Sequence, residues 1–326
     1  MLKKVLAGLG AGALLFGLSA CGGDGDSGEG GDDALVVGFA QVGAESAWRT
    51  ANSDSVKAAA EAAGVELQFV DGQQEQEKQI EAIRNFITQK VDVIVLAPVV
   101  ETGWTEVLTE AEQAGIPVVL ADRGIEDADE ALYTTRLGSD FVAEGHSAGA
   151  WAAETFGADT DFRILELQGT TGSAPANDRK AGFFDELDTQ GVGYTIVDSQ
   201  SGNFTAEEGK AVMETFISTY GLDDIDLLYA HNDEMGLGAI QAIEEAGKVP
   251  GTDIQVIIVD GSAAGFQAGV DGKVNYIVEC NPAFGDQLMD VVAQVANGDE
   301  VEKFIAVEEG VFDSTQFEAE LPNRQF

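Results

Sequence analysis

Residues 91–123 read VDVIVLAPVVETGWTEVLTEAEQAGIPVVLADR. Val91–Ala97 is an apolar run rich in β-branched residues, with the length and pattern of a strand buried on both faces. From Gly103 to Ala114 the apolar positions take helical spacing, and Gly115 stands where a helix ends in left-handed backbone. Ile116–Ala121 is a second unbroken apolar run, followed at once by Asp122 and Arg123. Strand, helix and strand joined by short turns make the βαβ unit of a parallel sheet, which helices must cover.

The same cycle extends in both directions. Upstream, Leu35–Ala40 reads as a strand, Trp48–Ala63 as a helix stopped by Gly64, Val65–Val70 as a strand and Glu75–Gln89 as a helix. Downstream come strand Leu132–Thr135, helix Asp140–Phe156, strand Phe162–Leu167, helix Ala174–Leu187, strand Tyr194–Asp198 and helix Thr205–Tyr220. Strand Ile225–Ala230, helix Glu234–Ala246, strands Ile254–Val259 and Val274–Val278, and helix Phe284–Asn297 follow. About ten strands are more than one open sheet usually carries, so the pattern predicts α/β architecture with two sheets in two lobes. Ligands of such sheets sit beyond the carboxyl ends of the strands.

Ahead of the first strand lies a segment of another kind. Lys3 and Lys4 precede an apolar run, Val5–Ala20, then Leu18-Ser19-Ala20-Cys21 and a Gly- and Asp-rich stretch to Asp33. The run is shorter than the ~20 residues of a permanent membrane helix and has the layout of an export signal. Leu-Ser-Ala-Cys resembles a bacterial lipobox, which implies cleavage before Cys21, its acylation, and a tether over residues 21–33. The expected location is the outer face of the cytoplasmic membrane. With Cys21 acylated, Cys280, the second of two cysteines, has no disulfide partner.

Fifty-eight acidic residues against 17 basic ones give a net charge of −41. No basic surface exists to neutralise phosphates, which excludes nucleic acid and anionic membranes as partners through charge. Adaptation to a saline medium, where self-repulsion is screened, and an acidic surface kept for solubility both fit.

The residues just after the strands carry the chemistry. The first strand is followed by Glu45, Ser46, Trp48 and Arg49, the fourth by Asp122 and Arg123. The second half supplies Arg179, Phe204, Asn232, Asp260 and Glu279. Three of the seven arginines stand at such positions. Carboxylates, an amide, guanidinium forks and large rings suit a polyhydroxylated ring, whose hydroxyls donate and accept while its C–H faces pack on aromatics. The competing reading is that these acids cap helices and pair locally with the arginines.

The segments Val37–Gly43 with Glu45–Arg49, Asp71–Gln74, Ala97–Val100 with Thr102–Trp104, Asp122-Arg123, Glu166–Thr170, Asp178–Lys180, Ser199–Gly202, Tyr229–Asp233 and Ala239–Ile243 resemble the sugar receptors of bacterial ABC importers. The likeness is to the periplasmic-binding-protein type of the ribose/galactose group, and within it to galactofuranose-binding proteins. It implies the type I fold: two doubly wound lobes joined by three crossings near 137, 279 and 307. The lobes would be 34–137 with 280–307, and 138–279 with 308–326. It implies Glu45, Ser46, Trp48, Arg49, Asp122 and Arg123 as sugar contacts from the first lobe, and Arg179, Asn232 and Asp260 closing from the second. Phe204 would stack on the sugar and Glu279 make a polar contact beside the hinge. Trp48, with Phe204 or Trp104, would cover a five-membered ring. A monomeric receptor without cofactor, enzymatic activity or metal is implied, serving the membrane subunits of an importer. A sensor feeding a membrane kinase or chemoreceptor, or a receptor for ribose or arabinose, are the alternatives.

Other motifs lose to simpler explanations. Gly145-His146-Ser147-Ala148-Gly149 has the form of a hydrolase elbow, but Ser147 falls inside a predicted helix rather than on a strand-to-helix turn. Gly38–Gly43 lacks the glycine spacing of a dinucleotide loop. Two histidines and Cys280 have no recognised metal-ligand spacing. A faint calcium-loop pattern at Asp24, Asp26 and Glu29 is too glycine-rich for anything but a tether. Repressors of the lac type share this fold, but an export signal stands where their DNA-binding helices would be.

Overall fold

The computed structural model describes residues 34–158, 160–324 and 326. Cys21 and the predicted signal and tether therefore lie outside the described residues.

One sheet contains β1 (Val36–Gln41), β2 (Glu66–Asp71), β3 (Val93–Leu96), β4 (Val118–Ala121), β5 (Thr135–Gly138) and β11 (Phe304–Ala306), in the spatial order β11-β5-β4-β3-β1-β2. The other contains β6 (Asp161–Gln168), β7 (Gly193–Ser201), β8 (Leu227–Ala230), β9 (Gln255–Asp260), β10 (Tyr276–Glu279) and β12 (Val311–Asp313), in the order β12-β10-β9-β8-β6-β7. The two orders are the same path traced twice. All pairings are parallel except that of β12 with β10.

The central strands β3, β4 and β8 are buried throughout, which is why they read as unbroken apolar runs. Helices α1 (Ala47–Ala63), α2 (Gln76–Gln89), α3 (Thr105–Ala114) and α9 (Gly285–Asn297) cover the first sheet. Helix α3 ends as its sequence predicts, with Gly115 at φ 73° returning its N–H to the last turn. The second sheet carries α4 (Phe141–Phe156), α5 (Ala174–Gln190), α6 (Ala206–Tyr220), α7 (Asp233–Glu245), α8 (Ala263–Val270) and α10 (Phe317–Glu320). Between sheets the chain passes three times, through residues 139–140, 280–284 and 307–310.

One predicted strand needs correction, and β11, β12, α8 and α10 were not predicted. The strand expected at Leu132–Thr135 begins at Thr135, after a 3₁₀ turn over Asp127–Leu132. Pairing with β4 sets this register: Leu137 lies opposite Ala121 and is fully buried, whereas a strand ending at Thr135 would leave it outside the sheet. Helix α8 was not anticipated, because two glycines mask its pattern. Ser262 caps it by accepting from the Gly265 N–H at 3.0 Å, and Phe266 anchors it in the core.

The G-x-S-x-G stretch lies in the middle of α4, where Ser147 donates to the Ala143 carbonyl at 2.9 Å. Its glycines serve contact with α5. A Cβ on Gly145 would stand 2.4 Å from the Arg179 carbonyl oxygen, and one on Gly182 would stand 2.2 Å from that of Val142. This close approach fixes the helix that carries Arg179.

Candidate functional site

The strand ends of both sheets face a cavity with an empty volume of about 290 Å³, counting its mouth.

Helix α1 and the two residues Glu45 and Ser46 before Ala47 bring four of the lining residues. Ser46 caps the helix, accepting from the Arg49 N–H at 3.1 Å, and this first turn turns Trp48 and Arg49 inward. Arg49 is 2% exposed and spends its fork on the protein: Nη2 to Asp122 Oδ2 at 2.6 Å, Nε to Glu45 Oε1 at 3.2 Å, Nη1 to Gln41 Oε1 at 3.3 Å. Arg123 donates to the same Glu45 oxygen at 3.3 Å, while its own Nε and Glu45 Oε2 are buried without a partner. Burial and the neighbouring Arg49 push the Arg123 guanidinium down to about 10, so it stays charged at neutral pH. The network holds cations and carboxylates in mutual register and leaves polar atoms for a ligand.

The second lobe answers with Arg179, Phe204, Asn232 and Asp260. Arg179 donates through Nε to Glu144 Oε2 at 2.6 Å and through Nη1 to the His231 carbonyl at 2.7 Å. Its Nη2 stands 4.0 Å from Asp260 Oδ1, too far for a hydrogen bond. Burial raises the Asp260 carboxyl well above its usual range, with Asp233 adding to the effect. An incoming hydroxyl donor relieves that position. Asn232 caps α7 through Met235 N and holds the Phe204 carbonyl at 3.1 Å, so it both places Phe204 and keeps one N–H free.

Backbone strain concentrates here. Asp122 (φ 64°) and Asp260 (φ 106°) occupy equivalent positions at the ends of β4 and β9, and Asn203 (φ 49°) and Phe204 (φ 62°) turn after β7. Such conformations persist only where their surroundings enforce them.

Contacts also bridge the cleft directly. Glu234 of α7 accepts from the Ala47 N–H at 2.5 Å, and Glu101 N donates to the Gly172 carbonyl at 2.9 Å. Asn177 donates to the Glu101 carboxylate. The lobes are closed on one another.

Every residue nominated from the sequence lines this cavity except Glu279 and Trp104. Glu279 ends β10 and is used within the hinge, accepting from Gly310 N at 2.8 Å and pairing with Arg324 at 2.5 Å. It ties the second crossing to the third and is not a cavity residue. Trp104 is likewise not a cover for the ligand: it is fully buried in the first lobe's core and donates to the Val100 carbonyl at 2.8 Å. Trp48 gives its indole N–H to the Cys280 carbonyl at 2.6 Å, leaving only its ring for a ligand.

Four contributors escaped the sequence reading, one of them Cys280, which lines the cavity from the second crossing. Phe141 and Pro175 line the cavity, and Glu144 holds Arg179. Phe141 follows β5 just as Arg123 follows β4, so the strand-end rule extends to it. Glu144 is a carboxylate beside the α4 contact stripe, which calls for a buried cation opposite.

Behind the cavity, Glu166 is fully buried and bonded to His231 at 3.1 Å, Lys180 at 2.9 Å and Ser199. Burial raises its carboxyl, but the hydrogen bond with His231 and those from Ser199 and Lys180 outweigh it and hold it at about 2, below the ordinary 4.5. A depressed carboxyl stabilises the fold above its unfolded value and loses that contribution as pH falls through the folded one. Glu166→Gln is therefore expected to cost up to about 3 kcal/mol at neutral pH, with the deficit closing between pH 4.5 and 2. Denaturant melts of both proteins across that range check it.

Two parallel-sheet lobes joined by three crossings, closed over one polar cavity, define a periplasmic binding protein of type I. The chain belongs to that family: the periplasmic binding protein domain matches residues 37–300. The galactofuranose-binding protein YtfQ of Escherichia coli (strain K12) is 45% identical over 259 residues, 79% of this chain and 81% of that protein. A crystal structure from Mycobacterium smegmatis in complex with β-D-fucofuranose superposes with a TM-score of 0.84 at 52% identity, over 89% of this chain and 95% of that one. The periplasmic binding protein component of the arabinose ABC transporter from Shewanella sp. ANA-3, bound to α- and β-L-arabinofuranose, gives 0.84 at 45% identity over the same shares.

Proposed function

We propose that this protein is the extracytoplasmic receptor of an ABC importer and captures a monosaccharide in its furanose form by closing two lobes over it. The observation that carries the reading is the cavity itself. Glu45, Asp122 and Asp260 supply acceptors, Arg49, Arg123 and Arg179 supply donors, and Trp48, Phe141 and Phe204 supply apolar faces. Together these offer ring hydroxyls both donors and acceptors, with no group among them poised for bond cleavage. Anchoring through an acylated Cys21 and action as a monomer belong to the same proposal. Among the described residues no helix is long and apolar enough to cross a membrane.

The ligands of the three relatives narrow the sugar. D-galactofuranose, D-fucofuranose and L-arabinofuranose share configuration at ring carbons 2 to 4 and differ only in the exocyclic group. We assign the cavity to that ring, with galactose the preferred member because its exocyclic diol pairs most polar groups. Ribose inverts two ring centres and would strand buried partners at roughly 1–3 kcal/mol each. Calorimetry with galactose, fucose, arabinose and ribose should rank the galactose-type sugars above ribose by at least tenfold. Tightest binding to ribose would refute the ring assignment while leaving a sugar receptor.

Closure has its own test. Glu234 reaches across the cleft to the N-terminus of α1; burial raises its carboxyl, and the hydrogen bond from the Ala47 N–H offsets part of that. Glu234→Ala removes a contact made only in the closed form, so affinity should fall about tenfold, chiefly through faster release. Stopped-flow kinetics showing unchanged release would remove Glu234 from the closing mechanism.

A further inference from the structure

We propose that Glu144, Cys280 and Glu309 form a binding site for a divalent transition metal of the zinc type, built into the hinge beside the sugar cavity, whose wall Cys280 shares. One ligand atom from each lies within 4.8 Å of the other two. Glu144 sits in the first turn of α4, just past the first crossing, Cys280 lies in the second crossing and Glu309 in the third. Sequence spacing concealed the group because its members are far apart in the chain.

A second observation points to a ligand. Arg179 holds Glu144 Oε2, while Glu144 Oε1 is buried without a hydrogen-bond partner on a residue only 4% exposed. Cys280 is buried and in no disulfide, its Sγ 3.3 Å from the Ser139 hydroxyl. Glu309 Oε1 is oriented by the Ser139 hydroxyl at 2.5 Å and the Asn281 N–H at 2.8 Å, as outer partners orient the carboxylates of metal sites. Arg179 is the cation at hand, and it is shared between Glu144 and Asp260.

Thiolate with carboxylates selects zinc-like ions over calcium or magnesium. With Zn–S of ~2.3 Å and Zn–O of ~2.0–2.2 Å, the donors need to draw in by roughly an ångström. A cavity with about 470 Å³ of empty volume borders Glu144 and Glu309, giving an ion a way in and a water the fourth position. Because the donors belong to α4 and two crossings, hinge rotation changes their separations, and Glu144 connects them to Arg179 in the sugar cavity.

Titration of the whole purified protein with Co²⁺, then Zn²⁺, tests the site. One Co²⁺ per chain should bind with a thiolate-to-cobalt charge-transfer band that Zn²⁺ abolishes and Cys280→Ser lacks. Glu309→Gln, checked for folding by circular dichroism, should weaken Co²⁺ binding at least tenfold. If Cys280→Ser fails to fold, the band in the unaltered protein and the Glu309→Gln titration decide. Absence of the band, or binding equal in Glu309→Gln, would place the ions on the acidic surface and overturn the proposal.

Discussion

Asp122→Ala is expected to weaken sugar binding by about 2–4 kcal/mol, roughly thirtyfold to nearly a thousandfold. The carboxylate is 3% exposed and meets Arg49 Nη2 at 2.6 Å, so its loss strips a buried guanidinium of one of two anionic partners. It also removes an acceptor from the cavity wall. Alanine at φ 64° adds strain, which Asp122→Asn avoids because asparagine tolerates left-handed backbone. The asparagine variant should fold like the original and still lose about tenfold in affinity, since it keeps shape but not charge. Calorimetry showing unchanged affinity in both variants would remove Asp122 from the binding site.

Arg179→Ala should have an effect of similar size on affinity and a larger one on the fold. Without it, Glu144 is left ionisable in a site 4% exposed, and the His231 carbonyl loses its donor. Breaking such a buried pair costs about 3–5 kcal/mol of stability. Arg179 acts from the second lobe, so the variant should retain weak first-lobe binding yet fail to compact when sugar is added. Arg179→Lys is not a rescue: one ammonium cannot serve Glu144, the His231 carbonyl and the cavity from a single fork. Scattering that shows normal compaction of the alanine variant would contradict the closing role.

How far the sequence reached depends on how local the cause was. The buried strands β3, β4 and β8 announce themselves because a strand covered on both faces has apolar residues at every position. Arg49, Arg123 and Arg179 were legible for a related reason: a parallel sheet gathers its ligand groups in the loops after its strands and the first turns of the helices that follow, and arginine is scarce in this acidic chain. What stayed hidden was decided by pairing across long separations. The start of β5 is set by its register on β4, and Glu279 is diverted from the cavity by Gly310 and Arg324. Glu144 shows its purpose only once α4 lies against α5, which the glycines at 145, 149 and 182 permit.

The central claim is that the closed cavity selects a furanose ring. The most direct measurement is carbon NMR of galactose labelled at C1, bound to the protein at protein excess. Galactose in water is mainly pyranose, and the anomeric carbon reports which ring is held. A bound resonance in the furanose range is expected, drawn from the minor form in solution. A bound resonance in the pyranose range would contradict it.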